Sequence, residues 1–255
     1  MNEILSVDSV MQKYQAENGE VTALENISFT ACEGEFICIV GPSGCGKSTL
    51  LSVIAGLEKV ARGSVFINGR PVDGVSTEVG YMLQRDNLLE WRSIWKNVLL
   101  GLEIQHKLDE QTKAYADELL STYGLYEFRD KYPSQLSGGM RQRVSLIRTL
   151  ALRPRILLLD EAFSALDFQT RLSVTDDVHR ILKNEKKTTL MVTHDIPEAI
   201  SMADRIIVLS RRPAVIKSVH ELRFDPCCTS PLTRRNNEQF GRYFNEIWGE
   251  LDVIA

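Results

Sequence analysis

No stretch of the 255-residue sequence approaches the ~18 consecutive apolar residues that a membrane span needs. The aliphatic runs Ile156–Leu159 and Ile206–Leu209 are far shorter. The start, MNEILSVDSV, lacks the basic-then-apolar order of a secretory signal, so the chain is expected in the cytoplasm, reaching a membrane only through a partner. Its five cysteines (Cys32, Cys38, Cys45, Cys227 and Cys228) are an odd number without a CxxC pair, which excludes a zinc ribbon and a disulfide framework. The adjacent Cys227 and Cys228 are read as reduced thiols. There is no basic stripe: 30 Lys+Arg stand against 34 Asp+Glu, a net charge of −4, so nucleic acid is not expected as a partner. Internal repeats, low-complexity segments and sustained heptads are also missing, which excludes solenoids and long coiled coils.

What is present is ordinary globular material, 44% hydrophobic and 25% charged. The length fits one large domain or a domain with a sizeable insertion. ILSVDSVMQKY and VTALENISFTA alternate apolar and polar residues as half-buried antiparallel strands do. EFICIVG (Glu35–Gly41) is denser in apolar residues and suits a strand buried on both faces. Gly63–Val72 and Glu78–Gln84 also have strand character, as do Arg155–Asp160, Thr188–His194, Asp204–Ser210 and Arg212–His220. Helical spacing marks Lys47–Leu57, three segments between Ser93 and Ala151, Thr170–Lys187 and the tail run EQFGRYFNEIWGEL. The expected organisation is an α/β core with an N-terminal antiparallel β subdomain over residues 1–86 and 152–224, an inserted α-helical subdomain over 87–151 and a tail over 225–255.

GPSGCGKS (Gly41–Ser48) sits between a buried strand and a helix and matches G-x-x-x-x-G-K-[ST]. Gly41, Gly44 and Gly46 let the backbone curl around phosphates, and the amides and the start of the helix form an anion nest. Lys47 is suited to terminal phosphates and the Ser48 hydroxyl to Mg²⁺. The candidate nucleotide-binding residues are Gly41, Pro42, Ser43, Gly44, Cys45, Gly46, Lys47, Ser48 and Thr49.

RILLLDE ends an aliphatic run in Asp160 and Glu161. Beside a phosphate loop, Asp160 is placed to hold Mg²⁺ and Glu161 to polarise the attacking water. LSGGMRQRV then offers a second helix start, where Ser137 can cap and Gly138 and Gly139 open the backbone toward an anion. Taken alone, SGG is also what an ordinary capped helix shows. One triphosphate does not need two such grips from one chain, so a head-to-tail pair of chains could clasp each ATP between one phosphate loop and the other chain's SGG.

GPSGCGKS, LSGGM, ILLLDE, SALD (Ser164–Asp167) and VTHD (Val192–Asp195) occur in that order. From Ile4 to Leu222 the chain resembles the ATP-binding subunit of an ATP-binding cassette (ABC) transporter. The resemblance implies a P-loop NTPase (RecA-like) core and an ATPase that uses ATP and Mg²⁺. It implies that Tyr14 stacks on adenine and that Gln84 touches Mg²⁺ and the attacking water. Ser137, Gly138 and Gly139 would contact the γ-phosphate held by the opposite copy, and Asp167 would shape the interface of that ATP-sandwich homodimer. His194 would bind the γ-phosphate and position water with Glu161. The other histidines, His106, His179 and His220, are read as surface residues. Two positions depart from the common pattern. Met140 replaces the signature glutamine and cannot make its hydrogen bonds, and Ala162 replaces a proline after the glutamate.

LEWRSIWKNV, LSGGMRQRV, EAFSALDFQTR and the tail resemble, more narrowly, the ATPases of nitrate/sulfonate/taurine-type importers. That implies two ABC permease subunits and, indirectly, a periplasmic or lipid-anchored solute-binding protein. The ATPase would be peripheral to the cytoplasmic face of the membrane. Leu88, Leu89, Trp91 and Trp95 are the expected permease-docking surface, with packing of Trp91 and Trp95 inside the helical subdomain as the alternative. The chain's own residues leave the solute open between small oxyanions and pyrimidine-type vitamin precursors. An exporter or lipoprotein-release ATPase shares all five motifs and stays as the alternative. A chromosome-type ATPase is disfavoured by the lack of heptads, and a scaffold by intact Lys47, Asp160, Glu161 and His194.

Overall fold

The alternating N-terminal segments become two long antiparallel strands, β1 (Glu3–Ala16) and β2 (Gly19–Cys32), in a computed structural model that describes residues 2–16 and 19–251. β1 also pairs with β4 (Arg62–Ile67), and β4 with the short β5 (Arg70–Pro71), giving the order β2-β1-β4-β5. The denser apolar segments form a second sheet from β3 (Phe36–Val40), β6 (Val79–Met82), β7 (Ile156–Asp160), β8 (Thr188–Val192), β9 (Arg205–Leu209) and β10 (Ile216–Glu221). Its order is β10-β9-β3-β8-β7-β6, parallel except for the antiparallel edge strand β10.

Strand periodicity explains why this sheet needs cover on both faces. Cys38, Val40, Leu157, Leu159 and Met191 enter one apolar core, shared with helices. Their neighbours Ile37, Ile39, Leu158, Leu190 and Val192 enter the other, shared with the first sheet. Helix α1 (Lys47–Ile54) joins the second core through Leu50, Leu51, Val53 and Ile54. It is therefore held between the two sheets, at the C-terminal end of β3. The first core takes α2 (Ile94–Ile104), α3 (Glu110–Thr122), α4 (Gly138–Leu150), α5 (Phe168–Asn184) and α6 (Ile196–Met202). The tail supplies α7 (Pro231–Arg235) and α8 (Glu238–Leu251). Among the described residues no helix is long and apolar enough to cross a membrane.

Several expectations change. The strand expected from Arg212 begins only at Ile216, and α6 and α7 were not foreseen. His179 is not a surface residue. It is buried beside Phe36, their rings 6.2 Å apart, and burial pushes its pKa down to about 4. His220 is also largely covered, its Nε2 lying 3.1 Å from Glu250 Oε1. Of the four apolar residues expected on a docking surface, Trp91 is 75% exposed, but Leu88 is buried and Leu89 is half-buried. Trp95 packs against the helical core under the Arg129 guanidinium, 4.8 Å from the ring centre. The buried Asn97 side chain causes the difference. It bonds the backbone of Leu89, Arg92 and Ser93 and so folds this loop onto α2.

Candidate active site

The phosphate loop leaves β3 and enters α1 through Gly46, whose φ of +123° suits glycine. A Cβ there would lie 2.9 Å from Leu24 Cδ2, so the position also has no room for a side chain. No side chain caps α1, which leaves its first amides to the loop. Lys47 is buried, and its Nζ donates to the carbonyls of Gly41 (2.8 Å) and Pro42 (3.0 Å). Cys45 turns inward into the apolar core and brings no side chain to the mouth of the loop. Its N–H bonds Pro42 O at 3.2 Å. From the β9–β10 connection, Arg212 donates to Gly44 O at 2.8 Å. Tyr14 lies beside the loop, with its hydroxyl bonded to Glu58 and, at 3.2 Å, to Thr49 Oγ1.

The strand ends bring the acidic residues to the same place. Ser48 Oγ donates to Asp160 Oδ1 at 2.9 Å, and the Tyr81 hydroxyl to Asp160 Oδ2 at 3.2 Å. Burial raises the Asp160 carboxyl above the usual range, against the pull of those two hydrogen bonds. Glu161 follows with φ +47°, a left-handed conformation that is strained for a residue with a side chain. Its N–H bonds Val192 O, and its Oε2 is 3.3 Å from His194 Nδ1. Gln84 Nε2 donates to Ser164 Oγ (3.1 Å), which in turn donates to the Glu161 carbonyl (2.9 Å). Lys47, Ser48, Gln84, Asp160, Glu161 and His194 thus belong to one connected neighbourhood. Tyr81, Ser164 and Arg212 join it unforeseen. A lone hydroxyl or guanidinium carries no sequence pattern, and only strand pairing brings Tyr81 beside β7.

The serine–glycine turn starts another helix, α4. Ser137 caps α4 by accepting from Met140 N at 3.4 Å. Among the described residues no hydrogen bond joins Ser137–Gly139 to the phosphate loop. The turn is instead built onto α5, whose start Asp167 caps. A Cβ on Gly139 would meet Val174 Cγ2 at 2.8 Å, and one on Gly138 would meet Leu166 Cδ2 at 3.2 Å. The segment after Gln84 is tied to α4 by Arg141, which grips Asp86 at 2.8 and 3.1 Å and Glu90 at 2.7 Å. Arg148 adds bonds to the carbonyls of Asp86 (2.6 Å) and Asn87 (2.7 Å).

Hard oxygen donors at the foot of the loop fit Mg²⁺, which takes one or two carboxylates together with substrate phosphates. Ser48 and Asp160 are such a pair, and a divalent cation there would favour the charged Asp160 that burial disfavours. Among the described residues no cluster of three or more His, Cys, Asp or Glu forms a cage for a metal.

Comparison with known proteins gives the following likenesses. The sequence model of the ABC transporter family matches residues 24–164. An uncharacterized ABC transporter ATP-binding protein of Bacillus subtilis, YtlC, is 48% identical over 250 residues, covering 98% of this chain and 96% of that one. The nitrate import ATP-binding protein NrtD of Synechococcus elongatus is 37% identical over 224 residues, covering 87% and 82%. Among solved structures, a dimeric post-hydrolysis state of the ATP-binding cassette MJ0796 bound to ADP and Pi superposes with a TM-score of 0.73. It is 30% identical and covers 87% of this chain and 100% of that one.

Proposed function

The chain belongs to the ABC transporter family as an ATP-binding, ATP-hydrolysing subunit, and on that premise we propose that it powers an importer of a small solute. The solute class is that of nitrate, sulfonates, taurine or a related compound. The working unit is a head-to-tail homodimer docked on two permease subunits at the cytoplasmic face of the membrane, fed by a solute-binding protein. Two features support the importer reading: likeness to a nitrate import ATPase and the narrower motifs LEWRSIWKNV and LSGGMRQRV.

The observation that carries the mechanism is the presence of two glycine-rich helix starts, α1 bonded into the acidic neighbourhood through Ser48 and α4 with no hydrogen bond to the phosphate loop among the described residues. Each ATP would lie between α1 of one copy and the Ser137 turn of the other. In this reading the amides of Gly44–Thr49 and the Lys47 ammonium hold the phosphates, and Tyr14 carries the base. Ser48 and Asp160, with Gln84 nearby, would hold Mg²⁺, which when bound neutralises charge on the β- and γ-phosphates. Glu161 accepts the proton of the attacking water. His194, 3.3 Å away, orients that carboxylate and donates toward the γ-phosphate. Loss of the γ-phosphate removes the group that bridges the copies. The dimer opens, and the Gln84–Asp86 segment, tied to α4 by Arg141, transmits the motion.

Two measurements test this. Glu161→Gln is expected to lower ATP turnover by about 10²–10⁴-fold while keeping ATP binding; unchanged turnover would remove Glu161 from the chemistry. Reconstituted with its permease, the ATPase is expected to accelerate when a solute-loaded binding protein is added. Acceleration by lipid or lipoprotein substrate without a binding protein would point to the export alternative.

A further inference from the structure

Near the serine–glycine turn the chain carries an aromatic knob and, beside the phosphate loop, a cavity. The knob is Phe168, the first residue of α5, which is 67% exposed. It is fixed to the body that carries the serine–glycine turn. Leu166, two residues earlier, lies under Gly138, and Thr170 and Val174 lie under Gly139. Wherever the Ser137 turn goes, Phe168 goes with it.

The hole is a cavity of about 340 Å³ walled on one side by Ser43, His194, Ile196 and Arg211 and on the other by Trp248 and Leu251 of α8. The α8 wall is clamped in place. Glu250 accepts from Ser218 Oγ and lies 3.1 Å from His220 Nε2, while Lys217 Nζ donates to its backbone carbonyl at 2.6 Å. Serine and carboxylate meet the same imidazole nitrogen, so this cluster is a fastening and not a nucleophilic relay. Trp248 stacks on Phe244 with centroids 5.7 Å apart and leaves 49% of its surface exposed beside the cavity.

We propose that in the nucleotide-closed dimer Phe168 of each copy seats in this cavity of the other, against Trp248. The proposal rests on the head-to-tail reading above, which brings the Ser137 body of one copy to the phosphate loop of the other. Since Ser43 and His194 line the cavity, the same approach would bring Phe168, next to the Ser137 turn, toward it. Knob and hole are present on every copy, so a two-fold dimer makes the contact twice. The rims are complementary in charge: Asp167 adjoins the knob and the exposed Arg211 the hole. Burying an aromatic pair in a desolvated pocket is the usual make-up of an interface hot spot.

The test is sedimentation velocity of the full chain carrying Glu161→Gln, with Mg-ATP, alone and with Phe168→Ala, Trp248→Ala or both. Each single change is expected to weaken the dimer about 10–100-fold, with the double variant close to either single, the sign of a direct contact. Singles within about twofold of the parent, or a double equal to the product of the singles, would overturn the knob and hole while leaving the sandwich intact. A parent that stays monomeric with Mg-ATP would overturn the sandwich and this contact together. Circular dichroism melts check folding, and Phe168→Leu with Trp248→Phe give the same cycle should an alanine variant melt early.

Discussion

Two helices of this protein begin with glycine-rich turns, and they are built in opposite ways. α1 starts at Gly46 in a conformation few other residues tolerate, with no side-chain cap and with a buried lysine bonded back to its own loop. α4 starts from Ser137, whose hydroxyl accepts one long bond from Met140 N, and is held to the Gln84–Asp86 segment by Arg141. The first is a half-made site set rigidly between two sheets, whose amides need a ligand. The second carries a cap from its own chain, and in the proposed arrangement it is offered to another copy.

The sharpest way to break this contrast is at Lys47. Lys47→Ala is expected to abolish ATP turnover, by at least about 10³-fold, because the ammonium acts on charge that develops in the transition state. A steady-state ATPase assay checks it, and a thermal melt near that of wild type shows the fold intact. At the other helix start, Gly139→Val drives a side chain into Val174, and overpacking of this kind costs about 1–3 kcal/mol, read as a lower urea midpoint. An unchanged midpoint would mean that α4 and α5 slide more freely than the packing implies.

A third helix start, α6 after His194, sharpens the comparison through pH. Glu198 is buried there, its Oε1 has no hydrogen-bond partner among the described residues, and burial raises its pKa from 4.5 to about 7. Between those values the unfolded chain ionises this carboxyl while the native one keeps its proton. Stability therefore falls as pH rises from about 4.5 to 7 and is flat beyond. Glu198→Gln is expected to melt progressively later than wild type over that window, reaching an advantage of about 1–2 kcal/mol at pH 8. A pH-independent difference would contradict the assignment. The smallest effect belongs to Ser137→Ala, where losing a long cap bond costs about 0.5–1 kcal/mol of stability by urea titration. Its ATPase should fall far more than that stability change accounts for.

The phosphate-binding half was legible because its chemistry needs fixed residue types at fixed spacing: GPSGCGKS, the end of ILLLDE, and VTHD all lie at ends of buried strands. Helix α6 was not legible, since Ile196, Glu198, Ala199, Ile200, Ser201 and Met202 are all buried and leave no polar face to mark a period. Pro197 also looks like a break, although it stands in the first helical turn where proline is tolerated. The sequence leaves the loop at Leu88–Trp95 open between exposure and packing, because nothing local shows that one buried asparagine will fold it inward. Tyr81 and Ser164 reach the site through strand register and a turn, and neither leaves a trace in composition. A helical context points His179 to the surface, yet it lies on the apolar stripe of α5 with Val178 and Leu182.

The central claim is that each triphosphate is completed by a second copy. Its most direct test mixes two inactive proteins, Lys47→Ala and Ser137→Arg, in equal amounts and measures ATP turnover. In a head-to-tail pair, a mixed dimer joins an intact phosphate loop to an intact serine–glycine turn at one of its two sites. Random pairing then restores about a quarter of the wild-type sites, so turnover should rise clearly above that of either protein alone. A mixture no more active than its components would contradict the account.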